Sequence, residues 1–318
     1  MQFDFIRCHG SGNDFPLIDA RAIVLSDGEW ARVARVLADR GGPVGGDGLL
    51  LLTAGDADHA FGMRMFNSDG SESETCLNGL RCVARAGFEA LGIDAARVRL
   101  KASSAEVARK PEIAPGVVTV ETRAVASIDL ARVGLRIDGD ALIEGCVPGL
   151  PSGRAFTAVA MPNPHLVSFV EAVDDEELSA VGAWAESAPA ILPGRGNVSF
   201  VEMRPSDNGG GLFVRTFERG VGLTDSCGSA MAASTFAAGL TGRTAFGREM
   251  TVFNRGGMVR ATPAAPEDSA VVAVAGNATF VEDASVAIDG DAVAELVVHR
   301  ERGDEVAAWD EVLAALTR

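Results

Sequence analysis

The spacing of apolar residues changes period several times along the chain. "MQFDFIRCHG", at the start, alternates apolar and polar positions as a half-buried strand does. From residue 26 the period lengthens. Ser26 followed by Glu29 is a capping-box pattern, and Trp30, Val33 and Leu37 then share one helical face, with the helix ending near "DRGG". "DGLLLLT" and "AFGMRMF" read as buried strands and "GVVTVETRAV" as an alternating one. Helices are predicted over 78–91, 174–186, 229–238 and 304–316, and strands fill most of the remainder. This predicts an α+β fold, each helix packed on a curved, mostly antiparallel sheet.

Comparison of the chain with itself changes the picture. "FNSDGSESETC" and "FERGVGLTDSC" each run from Phe to Cys, and their cysteines, Cys76 and Cys227, differ by 227 − 76 = 151. "GGPVGGDGLLLL" from Gly41 and "LPGRGNVSFVEM" from Leu192 pair at the same offset, 192 − 41 = 151. "HGSGNDFPLID" from His9 and "AMPNPHLVSFV" from Ala160 form a further pair at 160 − 9 = 151. Correspondences at one constant offset are the mark of a duplicated unit. Two pseudo-symmetric domains are therefore expected, residues 1–122 and 123–273. The strand pair in "SAVVAVAGNATFVEDASV" is expected to return residues 274–288 to the first half. Residues 289–318 read as an extension, a strand and an amphipathic helix around Trp309, Val312, Leu313 and Leu316.

Length agrees, since 318 residues exceed what one core usually supports. With 47% apolar residues, 6% aromatic and no tyrosine, the interior is one of Ala, Val, Leu and Gly. A net charge of −16 opposes nucleic acid or an anionic membrane as partner and leaves small molecules or other proteins. There is neither a basic segment leading into an apolar one nor an apolar run of membrane-spanning length, so the expected location is the cytoplasm. The acidic residues at 174–177 and 301–311 read as solvated helix surface.

Cys8, Cys76, Cys82, Cys146 and Cys227 form no C-x-x-C pair, and His9, His59, His165 and His299 are scattered. Reduced thiols are expected in place of a disulfide framework, and no metal site. Cys8, Cys82 and Cys146 carry no signal beyond core packing. Cys76 and Cys227 differ from them, because each immediately precedes a small-residue helix. The positive end of a helix dipole and its unused N–H groups favour a thiolate there and also form an anion site. Two mirrored thiols suit inversion at a carbon beside a carboxylate, where one base removes the proton and an acid on the opposite face returns one. Backbone donors in "CLNG" and "CGSA" would stabilise the carbanion-like transition state. Pyridoxal phosphate does not fit, since Lys101 and Lys110 lie in a polar segment without a Gly-rich phosphate loop. No cofactor is expected. "GGPVGGDG" lacks the G-K-[ST] ending of a phosphate-binding P-loop.

The motifs "HGSGNDF", "FNSDGSESETCLNGLRC", "MPNPH", "GNVSF" and "FERGVGLTDSCGSA", in this order and spacing over about residues 1–285, resemble the diaminopimelate epimerase family. The resemblance implies cofactor-independent interconversion of LL- and meso-diaminopimelate, in lysine and cell-wall precursor biosynthesis, by a homodimer. It implies two related domains, each a sheet around a central helix, closing over a small-molecule substrate. It makes Cys76 and Cys227 the acid/base pair, with His165 and Glu218 tuning their ionisation. Substrate contacts fall by motif position on Asn13, Asn67, Leu77, Asn78, Asn163, Asn197, Glu218, Arg219, Gly228 and Ser229. Four positions depart from the family pattern: Leu77 for glycine in "CGNG", Gly48 for a glutamine, Pro162 for glycine and Leu223 for glutamate. They leave room for a relative that racemises another amino acid, histidine for example. Other open readings are a redox protein joining Cys76 to Cys227 and a binding protein without turnover. Arg219 alone also reads as a surface ion pair with Glu218.

Overall fold

The computed structural model of this chain describes residues 1–205 and 211–316. The chain forms two compact units, one of Met1–Thr122 with the chain from Ala275 onward and one of Arg123–Val274. In the first, the order is β1 (Gln2–Gly10), β2 (Asn13–Asp19), α1 (Asp27–Leu37), β3 (Gly48–Ala54), β4 (Phe61–Asn67), β5 (Glu72–Ser73), α2 (Leu77–Leu91), β6 (Ala95–Arg99) and β7 (Ser104–Lys110). β8 (Thr119–Val125) then carries the chain into the second unit. There follow α3 (Leu130–Val133), β9 (Thr157–Ala160), β10 (Pro164–Val170), α4 (Asp175–Glu186), β11 (Asn197–Arg204), β12 (Gly211–Glu218), β13 (Gly222–Thr224), α5 (Gly228–Leu240), β14 (Met250–Asn254) and β15 (Gly257–Pro263). β16 (Val271–Asn277) returns to the first unit, completed by β17 (Thr279–Asp289), β18 (Ala292–Glu301) and α6 (Gly303–Leu316).

The two units repeat one topology. β1–β2, β3–β4, β4–β5 and β6–β7 pair antiparallel in the first, β2–β3 and β4–β6 parallel. β9–β10, β11–β12, β12–β13 and β14–β15 pair antiparallel in the second, β10–β11 and β12–β14 parallel. Each sheet is thus mostly antiparallel and wraps one central helix. α2 packs on β1, β2, β3, β4, β6 and β7, and α5 on β9, β10, β11, β12, β14 and β15. Both helices are buried along nearly their whole length, which accounts for their small or apolar residues on every face.

The apolar run of β3 has the same cause. Leu49 and Leu51 join Trp30, Val33 and Leu37 of α1 in one core, while a Cβ on Gly79 of α2 would meet the Leu50 side chain. A strand covered on both faces loses the polar alternation of an exposed one. α1 begins with the capping box, Ser26 accepting from Glu29 N and Glu29 accepting from Ser26 N. In the second unit Val198 and Phe200 of β11 pack with Leu178, Val181 and Ala185 of α4.

Several details differ from the sequence reading. The strand in "GVVTVETRAV" starts only at Thr119. Cys8 and Cys82 are buried, but Cys146 is exposed, in an irregular segment that offers no core position. On the acidic helix faces Asp174, Glu176, Glu301, Asp304, Asp310 and Glu311 are exposed, as solvated surface should be, while three of their neighbours are in ion pairs. Glu177 holds Arg154, Asp175 holds Arg215 and Arg255, and Glu305 meets Arg85. Spacing marks a residue's helix face but not the basic side chains that distant segments bring to it. Residues 290–316 are packed within the first unit: β17 pairs with both β1 and β18, and α6 lies on β17 with Trp309 and Val312 buried.

Candidate active site

Cys76 and Cys227 occupy the same local structure. Each is the extended residue before a central helix, with φ/ψ of −145°/103° and −134°/106°. In that position the sulfur sits beside the first helical turn, whose N–H groups have no partner inside the helix. At Cys76 the Gly79 N–H donates to the sulfur at 3.3 Å, a contact that strengthens as the thiol ionises. The Cys76 sulfur also lies 3.7 Å from the Asn13 amide oxygen, which accepts from a thiol and repels a thiolate. These two contacts favour opposite protonation states, which suits a group that must give and take a proton.

Asn13 is oriented by Asp47. One Asp47 oxygen accepts from the Asn13 amide NH2 and from Asp14 N at 3.1 Å, and the other takes Arg40 at 2.6 Å. A carboxylate only accepts, so the Asn13 NH2 must face it and the amide oxygen is left toward Cys76. Asn67, at the end of β4, donates to the Ser71 hydroxyl at 2.9 Å across the following turn. Asn78 Oδ1 accepts from Arg81 at 3.1 Å. Leu77, the first residue of α2, is buried.

In the second unit Cys227 Sγ lies 3.5 Å from the Ser229 hydroxyl, and Gly228 and Ser229 form the buried first turn of α5. His165 on β10 stands in register with Asn197 on β11. Its Nε2 is 3.0 Å from Asn163 Oδ1 and 3.3 Å from Asn197 Nδ2. Asn197 Oδ1 accepts from Arg219 N at 2.8 Å, which fixes that amide's orientation. Nε2 cannot both donate to Asn163 and accept from Asn197; with the proton on Nε2 it donates to Asn163, the 3.3 Å approach of the Asn197 NH2 is not a hydrogen bond, and Nδ1, buried without a described partner, is a lone pair rather than a stranded N–H. Glu218 ends β12, and its carbonyl accepts from Val221 N at 3.1 Å. Arg219 directs its guanidinium to the Gly194 carbonyl at 3.1 Å, so its described bonds run to the Asn197 loop and strand rather than to Glu218.

Burial, then the charge of Arg219, pushes the His165 pKa down to about 3. A neutral His165 stands between two asparagines and carries no charge toward either thiol at neutral pH. Its ring is expected to show no titration by NMR between about pH 5 and 8, where an ordinary histidine changes charge. The sign for stability follows. The unfolded side chain protonates near pH 6.5 and the native one does not, so this contribution is complete above about pH 6.5 and is lost as pH falls toward about 3. A His165 resonance moving with a midpoint near 6.5 would contradict the buried neutral assignment.

The family model described as diaminopimelate epimerase matches residues 5–125 and 157–281. A diaminopimelate epimerase of Clostridium acetobutylicum is 34% identical over 91% of this chain and 87% of its own length. One from Lactiplantibacillus plantarum is 36% identical over 100% of both. The chain belongs to the diaminopimelate epimerase family. At the level of fold the likeness is wider: a phenazine biosynthesis protein of the PhzF family from Bacillus anthracis superimposes with a TM-score of 0.64 at 15% identity, over 91% of this chain and 100% of that one.

Gly48, one of the four positions noted above, begins β3. A Cβ there would lie 2.3 Å from the Phe66 carbonyl oxygen, so the strand backbone leaves no room for a side chain. Pro162 is exposed and Leu223 partly so. The site also contains residues that motif reading passed over, Asp47 behind Asn13 and Arg81 behind Asn78. Arg81 stands three positions after Asn78, on the same face of the helix, which was the available signal. Asp47 had none, because its role depends on a turn that folds back on β2. Among the described residues no group of three or more His, Cys, Asp and Glu is placed to hold a metal ion, and no helix is long and apolar enough to cross a membrane.

Proposed function

We propose that this chain is a cofactor-independent epimerase interconverting LL- and meso-diaminopimelate, with Cys76 and Cys227 as its two acid/base groups. The observation that carries the reading is the repetition of one cysteine environment, an extended residue capping a buried central helix, in both copies of a duplicated topology. One thiolate removes the α-proton and the other thiol delivers a proton to the opposite face of the carbon; in the reverse direction the roles exchange. The first helical turns supply N–H donors for the charge that develops on the carboxylate as the proton leaves. Asn13, Asn67, Leu77, Asn78, Asn163, Asn197, Glu218, Arg219, Gly228 and Ser229 are assigned to substrate contact, and the amides and guanidinium suit a zwitterion with a carboxylate at each end.

The test is isotopic. Purified protein in D₂O, without added cofactor, should incorporate deuterium at the α-carbon of diaminopimelate and convert the LL form to meso. Gly48 favours one second reading, a relative acting on a different amino acid, because the strand there has no space for the usual glutamine. Exchange on another member of an amino-acid panel, with none on diaminopimelate, would select that reading. Saturable binding without exchange of any substrate would leave only a binding protein.

A further inference from the structure

Two arginines lie four residues apart on α2 and are treated differently by the fold. Arg85 is paired with Glu89 at 2.8 Å and with both oxygens of Glu305, and it also donates to the Ala278 carbonyl. Arg81 is fully buried and has no carboxylate among its described partners. Its Nε donates to the Asn277 carbonyl at 2.9 Å, and its Nη2 donates to the Ser11 hydroxyl at 3.0 Å and Asn78 Oδ1 at 3.1 Å. Nη1 is buried without a described partner. A buried guanidinium without a counter-ion is costly and is normally paired or replaced.

The surroundings are built to keep it. Gly10 closes β1 against it, and a Cβ there would meet the Asn78 carbonyl oxygen at 2.6 Å and Arg81 Nη2 at 3.0 Å. Ser11 adopts a positive φ of 53°, which turns its hydroxyl to the guanidinium, and its N–H donates to Asn277 Oδ1 at 2.7 Å. The "HGSG" turn, the end of β16 and the second turn of α2 together form a cradle for one cation.

We propose that Arg81 is a positioning residue for Cys76, a cation without a described carboxylate partner, sealed beneath the start of α2, that favours the Cys76 thiolate and turns the Asn78 NH2 away from itself. This rests on the reading of Cys76 as an acid/base group. Arg81 stands five residues after Cys76, little more than one helical turn, with buried protein rather than solvent around it. Burial pushes the Arg81 pKa down to about 10, with Cys82 and then Cys76 acting the other way, so it stays charged at neutral pH.

The other groups nearby do not supply that charge. His9 on β1 is neutral, pushed down to about 4 by burial, with Asp14 opposing. Cys8 is held as a thiol by burial and by Cys82. Asn13 is uncharged, and its oxygen opposes ionisation of Cys76. Asp14 and Asp47 are engaged by Arg40. Glu305 is engaged by Arg85.

The experiment reads Cys76 directly, without turnover. The full chain is alkylated with iodoacetamide across a pH series, and modification of each cysteine is followed by peptide mass spectrometry. In Arg81→Met the Cys76 midpoint should rise by about one pH unit, a roughly tenfold loss of thiolate at pH below it. Arg81→Lys, which keeps the charge but loses the forked hydrogen bonds, should restore the midpoint to near the parent's. Exposed Cys146 serves as internal control and should not move. A Cys76 midpoint unchanged in folded Arg81→Met overturns the proposal, as does one raised equally in Arg81→Lys. Should Arg81→Met fail to fold, Arg81→Gln, which keeps donors without charge, replaces it with the same two outcomes. A shifted midpoint in a chain that exchanges no α-proton would uphold Arg81 and reject the epimerase reading, so the two failures are distinguishable.

Discussion

The Cys76→Ala protein is expected to invert the α-carbon of diaminopimelate about a thousandfold more slowly than the parent, some 4 kcal/mol of lost transition-state stabilisation. Cys227→Ala should do the same. The two variants should differ in what survives. A remaining thiolate still removes the proton from the stereoisomer whose α-hydrogen faces it, and returns it, or deuterium, to the same side. Each single variant should therefore keep slow wash-in of deuterium on one stereoisomer with retention of configuration, and lose inversion of both. The stereoisomer that keeps exchange should be opposite in the two variants. Chiral chromatography with mass detection separates exchange from inversion. Undiminished inversion in either variant would exclude a two-base mechanism, and exchange surviving on the same stereoisomer in both would point to a base other than the cysteines.

The second large effect concerns stability. Glu305→Ala should destabilise the chain by about 3–5 kcal/mol, because it leaves Arg85 buried with little to neutralise it. Arg85 contacts both Glu305 oxygens, stacks over Phe280 with its guanidinium carbon 3.8 Å from the ring centre, and keeps only Glu89 as a second carboxylate. Glu305 also accepts from Phe280 N at 3.2 Å, so its loss strands a backbone donor as well. Replacing the pair together, Arg85→Met with Glu305→Leu, should recover most of the loss, since two apolar groups need no partner. Denaturant midpoints for the single and double variants decide it. A double variant as unstable as Glu305→Ala would show that packing of α6, not the charge, is at issue.

The pH dependence of this pair has a definite sign. Burial alone would raise the Glu305 pKa, but hydrogen bonding from Arg85 and that side chain's charge outweigh it and hold the carboxyl below 4.5. A carboxylate with a depressed native pKa stabilises the fold fully above its unfolded value, and that stabilisation is lost as pH falls through the native one. Acid should therefore loosen α6 from β17, and in Glu305→Gln this acid-sensitive share should be missing.

Much of the local structure was legible because it depends on neighbours in sequence. The box of Ser26 and Glu29, the face of Trp30, Val33 and Leu37, and the starts of α2 and α5 follow from contacts within one or two helical turns. The duplication was legible because an insertion-poor copy keeps its offset, and β2, β4 and α2 begin 151, 150 and 151 residues before β10, β12 and α5 (164 − 13, 211 − 61, 228 − 77). Neither spacing nor motif revealed that Asp47 fixes the Asn13 amide, or that Glu305 of α6 meets Arg85.

The sequence by itself determined the elements, the repeated topology and the two cysteines at helix starts, since periodicity, capping and internal offset are properties of adjacent residues. Only the tertiary structure decided the charge states around those cysteines. Among the described residues Arg81 has no carboxylate partner, because β1, α2 and Asn277, 196 residues farther along, enclose it without an acid. His165 is neutral because strands bury it between two amides. Desolvation and distance set a proton's affinity, and both are fixed by which distant segments meet, something no local pattern in the chain records.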